Sequence, residues 1–178
     1  MKYRVVTLSG PSGSGKTTIM DMLIAMHPEI FQKIKSMASK TDRLEDYISV
    51  SIDTFKEMIK NDEFIEHTLY CGNYYGLPKN FLDNIDEGKI GIKAFDIYGV
   101  EALKKIYGDK VFSVFLHRKT ENLIKEINKR NVSDEEKNTR ISSLENEQKN
   151  CTSPLFDLVI EVEEGNVDAA ITQILNSI

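Results

Sequence analysis

The 178-residue chain carries 23 basic against 28 acidic residues, for a net charge of -5 and a sequence pI near 5.3, which argues against a general nucleic-acid binder. Its 40% hydrophobic content suits one compact α/β domain with small inserted pieces, and no apolar run approaches the ~18 residues of a membrane span. Met1-Lys2-Tyr3-Arg4 runs straight into a strand-like segment, leaving no room for a signal peptide. Cys71 and Cys151 match no metal-binding spacing and read as reduced thiols, so the expected setting is cytoplasmic.

In chain order, Arg4–Leu8 reads as a short buried strand and Thr18–Met26 as an apolar-rich helix ended by His27-Pro28. Residues 31–38 read as a second strand, followed by a polar stretch. Asp53–Lys60 reads as a helix with Phe55, Met58 and Ile59 on one face and Asp53 as its N-cap. Glu63–Tyr70 alternates like a half-exposed strand, and Gly72–Gly76 reads as a turn. Pro78 is expected to open a helix to about Glu87, closed by Gly88. Ile90–Asp96 reads as a third parallel strand with an acid at its C-terminal end. Gly99–Tyr107 reads as a helix capped by Gly108.

Val111–Leu116 is continuously apolar, as in the middle of a parallel sheet. Charged helices are expected at about 120–130 and 133–150, with Ser133 and Glu136 forming a capping box. Leu158–Val162 is a last strand, and 166–178 an amphipathic helix. Strands alternating with helices predict a doubly wound parallel sheet in three α/β/α layers, with ligands at the C-terminal strand ends.

Gly10-Pro11-Ser12-Gly13-Ser14-Gly15-Lys16-Thr17 fits the phosphate-loop pattern G-x-x-x-x-G-K-[ST] between a strand and a helix. The glycines let backbone N–H groups converge on an anion, and the helix N-terminus adds partial positive charge. Lys16 serves the β- and γ-phosphates, and the Thr17 hydroxyl is placed to ligate Mg2+. ATP phosphates are therefore expected on Ser12, Gly13, Ser14, Gly15, Lys16, Thr17 and Thr18.

Further along come Ser39-x-Thr41-x-Arg43, then Tyr47, then Ser51-Ile52-Asp53-Thr54-Phe55. Glu63-Phe64-Ile65-Glu66, Gly72-Asn73-Tyr74-Tyr75-Gly76, and Asp96 with Gly99-Val100 follow. In this order they resemble the guanylate kinase family along nearly the whole chain. The resemblance implies transfer of phosphate from ATP, with Mg2+, to GMP or dGMP. It implies a core of residues 1–38, 89–127 and 143–178, a GMP-binding insertion over 39–88 and a helical lid over 128–142. Arg43, Tyr47 and Tyr75 would hold the acceptor's phosphate, and Ser39, Glu66 and Asp96 would read guanine. Arg130 and Arg140 would come from the lid onto the transferring group. Expected partners are small nucleotides, without nucleic acid or membrane, in a monomer or weak homodimer.

The chemistry agrees: a dianion needs cations and hydroxyls, and a carboxylate can accept guanine's N–H and NH2 together. The sequence also departs from the family pattern. Asp46 stands where a second arginine is usual, the loop from Arg43 to Tyr47 is shorter, and Leu77 replaces a hydroxyl residue. Ala94-Phe95-Asp96 keeps one of two acids, and Asn131 replaces a glycine in the lid. Plainer readings stay open: Asp96 as a helix cap, and Arg130 and Arg140 as solvated charges. Two rival functions follow, a kinase for another phosphorylated acceptor such as a sugar phosphate, and a catalytically weak binding module on the same fold.

Overall fold

The computed structural model describes residues 2–39, 44–70, 72–129, 131–163 and 166–178. Arg43, Arg130 and Cys71 lie outside the described residues. Five strands make a parallel sheet: β1 (Val5–Ser9), β2 (Phe31–Lys33), β7 (Ile90–Ala94), β8 (Val111–His117) and β9 (Leu158–Glu161). Their order is β2-β7-β1-β8-β9. All five residues of β1 and the first six of β8 are buried, as a strand covered on both faces requires.

Helices α1 (Lys16–Met26) and α6 (Val167–Leu175) cover one face through Ile19, Leu23, Ile171 and Ile174. Helix α3 (Ile97–Tyr107) covers the other through Val100 and Leu103. Because β7 and β8 flank β1 on opposite sides, the sheet reverses its winding at β1, and a crevice opens beyond its C-terminal end. Helices α4 (Thr120–Asn128) and α5 (Asp134–Lys149) pack together beside that crevice through Leu123, Ile127 and Leu144. The Ser133 hydroxyl accepts the Glu136 N–H, so the expected N-cap of α5 is in place. The Glu136 carboxylate pairs with Arg140. Among the described residues no helix is long and apolar enough to cross a membrane.

A second, four-stranded sheet comprises β3 (Ser36–Ser39), β4 (Tyr47–Val50), β5 (Phe64–Tyr70) and β6 (Asn73–Pro78), in the order β4-β3-β6-β5. Helix α2 (Ile52–Lys60) backs it through Phe55, which is 0% exposed and stacks on Phe64 at 4.4 Å and Tyr74 at 5.4 Å.

Several sequence expectations fail in this smaller sheet. Residues 31–38 make two strands in different sheets. Phe31 and Ile34 are both buried, and a spacing of three cannot place both on one face of a straight strand. Tyr47–Val50, expected as part of a polar stretch, is strand β4. Of the turn expected over 72–76 only Gly72, at φ 77°, precedes strand β6, which begins at Asn73, paired with Tyr70.

Gly76 belongs to that strand because an added Cβ would sit 2.8 Å from Phe64 and 3.0 Å from Phe55. Pro78 ends the strand instead of opening a helix. The Lys79 N–H continues the pairing to Glu63 O at 2.7 Å, and only a 3-10 turn follows, at Phe81–Asn84. The N-cap of α2 is Ser51, whose hydroxyl accepts the Thr54 N–H at 3.0 Å; Asp53 lies inside the first turn.

Candidate active site

The phosphate loop leaves β1 at Gly10, whose φ of 137° an L side chain rarely adopts. An added Cβ there would fall 2.0 Å from Leu116 O of β8, so the loop rises at a point of backbone contact. Lys16 donates to Gly10 O at 2.6 Å and Pro11 O at 2.9 Å, folding its ammonium across the loop. Helix α1 has no acid in its first turn and no side chain capping its N-terminus, and Thr17 and Thr18 are exposed. The Ser14 hydroxyl is buried and has no hydrogen-bond partner among the described residues. An orphaned donor, uncapped helical N–H groups and a lysine together form a site for an anion.

A cleft of about 860 Å3 opens over this loop. Arg140 of α5 reaches across it and donates to the Ser12 hydroxyl at 3.0 Å, while Glu136 holds the guanidinium at 2.7 Å. Glu147, two turns further along α5, accepts the Ser12 N–H at 3.3 Å and the Ser143 hydroxyl at 2.5 Å. Arg140 thus stands over the phosphate loop. Two residues were missed in the sequence. One is Glu147. The other is Arg118, which donates to Gly13 O at 3.3 Å and Val162 O at 3.1 Å and ties the loop to the end of β9. Arg118 directly follows the apolar run of β8, at the strand end where ligands were expected, and that position was the available signal.

Asp96 also lines the cleft. One of its carboxylate oxygens caps α3 through the Gly99 N–H at 2.8 Å, so the plain reading as a cap holds. The same oxygen lies 3.4 Å from where a Gly99 Cβ would stand, and Glu66 Oε2 lies 3.2 Å from that point. Glu66 of β5 and Asp96 are therefore side by side at the crevice edge. Burial pushes the Glu66 carboxyl above its usual range, the Asp96 charge pushes it further, and Lys93 opposes both.

On the same sheet Tyr47 and Tyr75 meet edge to face at 5.5 Å. Strand register puts Tyr47, Tyr75 and Leu77 on one face, and Leu77 is buried against the core with Phe95. Ser39 is wholly buried and its hydroxyl accepts the Tyr74 N–H at 2.8 Å. Asp46 is paired with Lys33 at 2.5 Å. Among the described residues no group of three or more His, Cys, Asp or Glu is placed to hold a metal ion.

A guanylate kinase family model matches residues 2–178. The guanylate kinase of Clostridium perfringens (strain 13 / Type A) is 37% identical over 132 residues, covering 71% of this chain and 61% of that protein. The guanylate kinase of Caldanaerobacter subterraneus subsp. tengcongensis is 31% identical over 175 residues, covering 96% and 84%. The crystal structure of guanylate kinase from Anaplasma phagocytophilum superposes with a TM-score of 0.66 at 26% identity, over 98% of this chain and 84% of that one. With its whole described length matched, the chain belongs to the guanylate kinase family.

Proposed function

We propose that the protein transfers the γ-phosphoryl group of ATP to GMP or dGMP, giving ADP and GDP or dGDP. The observation that carries this reading is the Glu66 carboxylate, held beside Asp96 at the edge of a cleft floored by an intact phosphate loop. Guanine's N1–H and exocyclic NH2 are adjacent donors, and an ionised carboxylate accepts both. Tyr47 and Tyr75, with Arg43 nearby in sequence, suit the acceptor's phosphate.

The reaction needs no covalent nucleophile, because positioning and charge do the work. The loop N–H groups and Lys16 hold the donor's phosphates, and Lys16 leaves the Gly10 and Pro11 carbonyls to do so. Arg140, and with it Arg130, stabilises charge on the transferring group. Mg2+, on the Thr17 hydroxyl and the phosphates, would supply charge neutralisation at the β- and γ-oxygens. Residues 39–88 and 128–142 act as acceptor-binding insertion and lid, closing to exclude water. The setting is cytoplasmic, and the chain works as a monomer or weak homodimer.

The test is ADP release with ATP, Mg2+ and a panel of GMP, dGMP, AMP, CMP, UMP and a sugar phosphate. GMP and dGMP should exceed AMP in kcat/KM by on the order of a thousandfold or more. Preference for the sugar phosphate would establish the other kinase reading. Tight nucleotide binding without turnover would establish the binding module.

A further inference from the structure

We propose that Lys93 is a specificity-determining residue that donates to O6 of the acceptor guanine, beside the donor pair accepted by Glu66. The inference rests on the GMP reading above and assigns a second half of the base site.

Lys93 interrupts an otherwise apolar stretch of β7, an interior strand paired with both β1 and β2, where a lysine is rarely tolerated without a task. The strand's alternation fixes where it goes. Ile90 and Ile92 join the core cluster under α1 and α6. Gly91 faces the other way, where an added Cβ would meet Ile34 at 2.8 Å and Ile85 at 3.2 Å. Lys93 lies two residues on and leaves the sheet on that same face, towards the four-stranded sheet. Phe95 is two residues further, and its ring lies 2.9 Å from the Gly99 position that Glu66 Oε2 also approaches.

The half-buried ammonium makes no hydrogen bond or ion pair with any described residue. Lys33, the nearby cation on β2, is already engaged by Asp46. The charges that act on Lys93 are those of Glu66 on β5, Asp46 before β4 and Lys33 on β2. Burial lowers the Lys93 pKa, and Glu66 is the first of the two carboxylates that oppose the shift. Glu66 feels the converse, since Lys93 partly offsets its upward shift. The ammonium and the carboxylate therefore share one region of the acceptor crevice.

That combination complements a guanine edge. The edge presents an acceptor at O6, a donor at N1 and a donor at the exocyclic amine. An ammonium beside a carboxylate matches it in sequence. Adenine reverses the first two positions, setting an amine against the ammonium and a lone pair against the carboxylate. Each mismatch leaves a partly buried polar group unpaired, the condition under which discrimination is large.

The experiment compares wild type and Lys93→Met at pH 7 with ATP and Mg2+, using GMP and 6-thioguanosine monophosphate. Sulfur at position 6 is a poor acceptor, while N1–H and the amine are unchanged. Wild type should favour GMP. Lys93→Met should lose roughly 10- to 100-fold in kcat/KM for GMP, the loss of a charged hydrogen bond, and change by no more than about threefold for the thio analogue. Methionine replaces an unpaired ammonium by an apolar chain of similar length, so Tm should not fall. Lys93→Gln, which keeps a neutral donor, should lie between the two and tests the same point should the methionine variant misfold. Equal losses on both nucleotides, as a phosphate contact or a packing role requires, would overturn the assignment, as would no loss on either. A GMP-selective wild type with such a result overturns the Lys93 role alone. A wild type indifferent to GMP overturns the guanine reading together with it.

Discussion

Glu66→Gln separates stability from activity at one atom. In the wild type Glu66 Oε2 and Asp96 Oδ1 each lie within 3.4 Å of the same point above Gly99, so they are no more than about 7 Å apart. Two like charges at that distance cost roughly 2–3 kcal/mol at an effective dielectric near 20, which solvent at the crevice mouth reduces to about 1 kcal/mol. The glutamine removes that repulsion and the cost of burying the charge, so the variant should be more stable by about 1 kcal/mol. Its amide NH2, however, now opposes one guanine donor. The loss in kcat/KM for GMP should be about 1.5–3 kcal/mol, or roughly 10- to 150-fold, with AMP almost unaffected.

The pH profile carries the same signature. Glu66 accepts only when ionised, and its pKa is raised, so wild-type kcat/KM for GMP should fall on acidification at a pH above the ordinary carboxylate range. Because the folded pKa exceeds the unfolded one, this group's contribution to stability is present at low pH and is lost as pH rises through the raised pKa. The glutamine variant should lack both limbs. The assays are urea denaturation and coupled ADP release on both proteins with both monophosphates. A variant that is less stable, or that loses GMP and AMP turnover equally, would refute the reasoning and make Glu66 a structural residue.

Lys16→Ala should fold normally and lose on the order of a hundredfold or more in kcat, since a transition-state charge contact disappears; near-normal turnover in a folded variant would remove Lys16 from the mechanism. Gly99→Ala should raise the KM for GMP, because the new methyl falls 3.2 Å from Glu66 Oε2 and 2.9 Å from Phe95, and should forfeit the ~1 kcal/mol that alanine ordinarily brings to a helix. A more stable variant with unchanged KM would show that these neighbours yield freely. Asp46→Arg should lose about 1–3 kcal/mol in urea denaturation, since it sets a like charge against Lys33 in place of a partner at 2.5 Å. Unchanged stability would mean that the pair is open in solution.

The core was legible because its signals are local and redundant. Gly10–Thr17 combines fixed glycines, a strand before and a helix after, and the apolar run of β8 can only be an interior strand. The smaller sheet was not, for three physical reasons. Its strands are short and partly exposed, so Tyr47–Val50 carries too little periodicity to register. Strand β6 begins as early as Asn73, so Tyr74 and Tyr75 belong to a strand that their glycine-flanked block disguised. At Ile34 the chain changes sheets, and no composition signal marks a bend that exists to bury Phe31 and Ile34 in different places. Among site residues, the motif sufficed for the phosphate loop. Arg118 and Glu147 become visible only when strand ends and helix faces are brought together.

Asp46 shows how charge read along a chain differs from charge read in space. In the sequence it is an acid where a second phosphate-binding arginine is expected, and it predicts a repelled acceptor. In the structure Lys33, at the end of β2, meets it at 2.5 Å, and both side chains are largely shielded, with 32% and 19% exposed. A close pair of opposite charges presents a dipole, whose field falls off faster than that of a lone carboxylate. Lys93 adds a positive charge nearby and Glu66 a negative one, so the four groups Lys33, Asp46, Lys93 and Glu66 sum to zero. The bend at Ile34 that separates β2 from β3 follows Lys33 by one residue, so the feature that hid the strands also sets the position of the compensating cation. An acceptor dianion approaching these four groups therefore meets no net repulsion from them, although the acid that suggested repulsion is present.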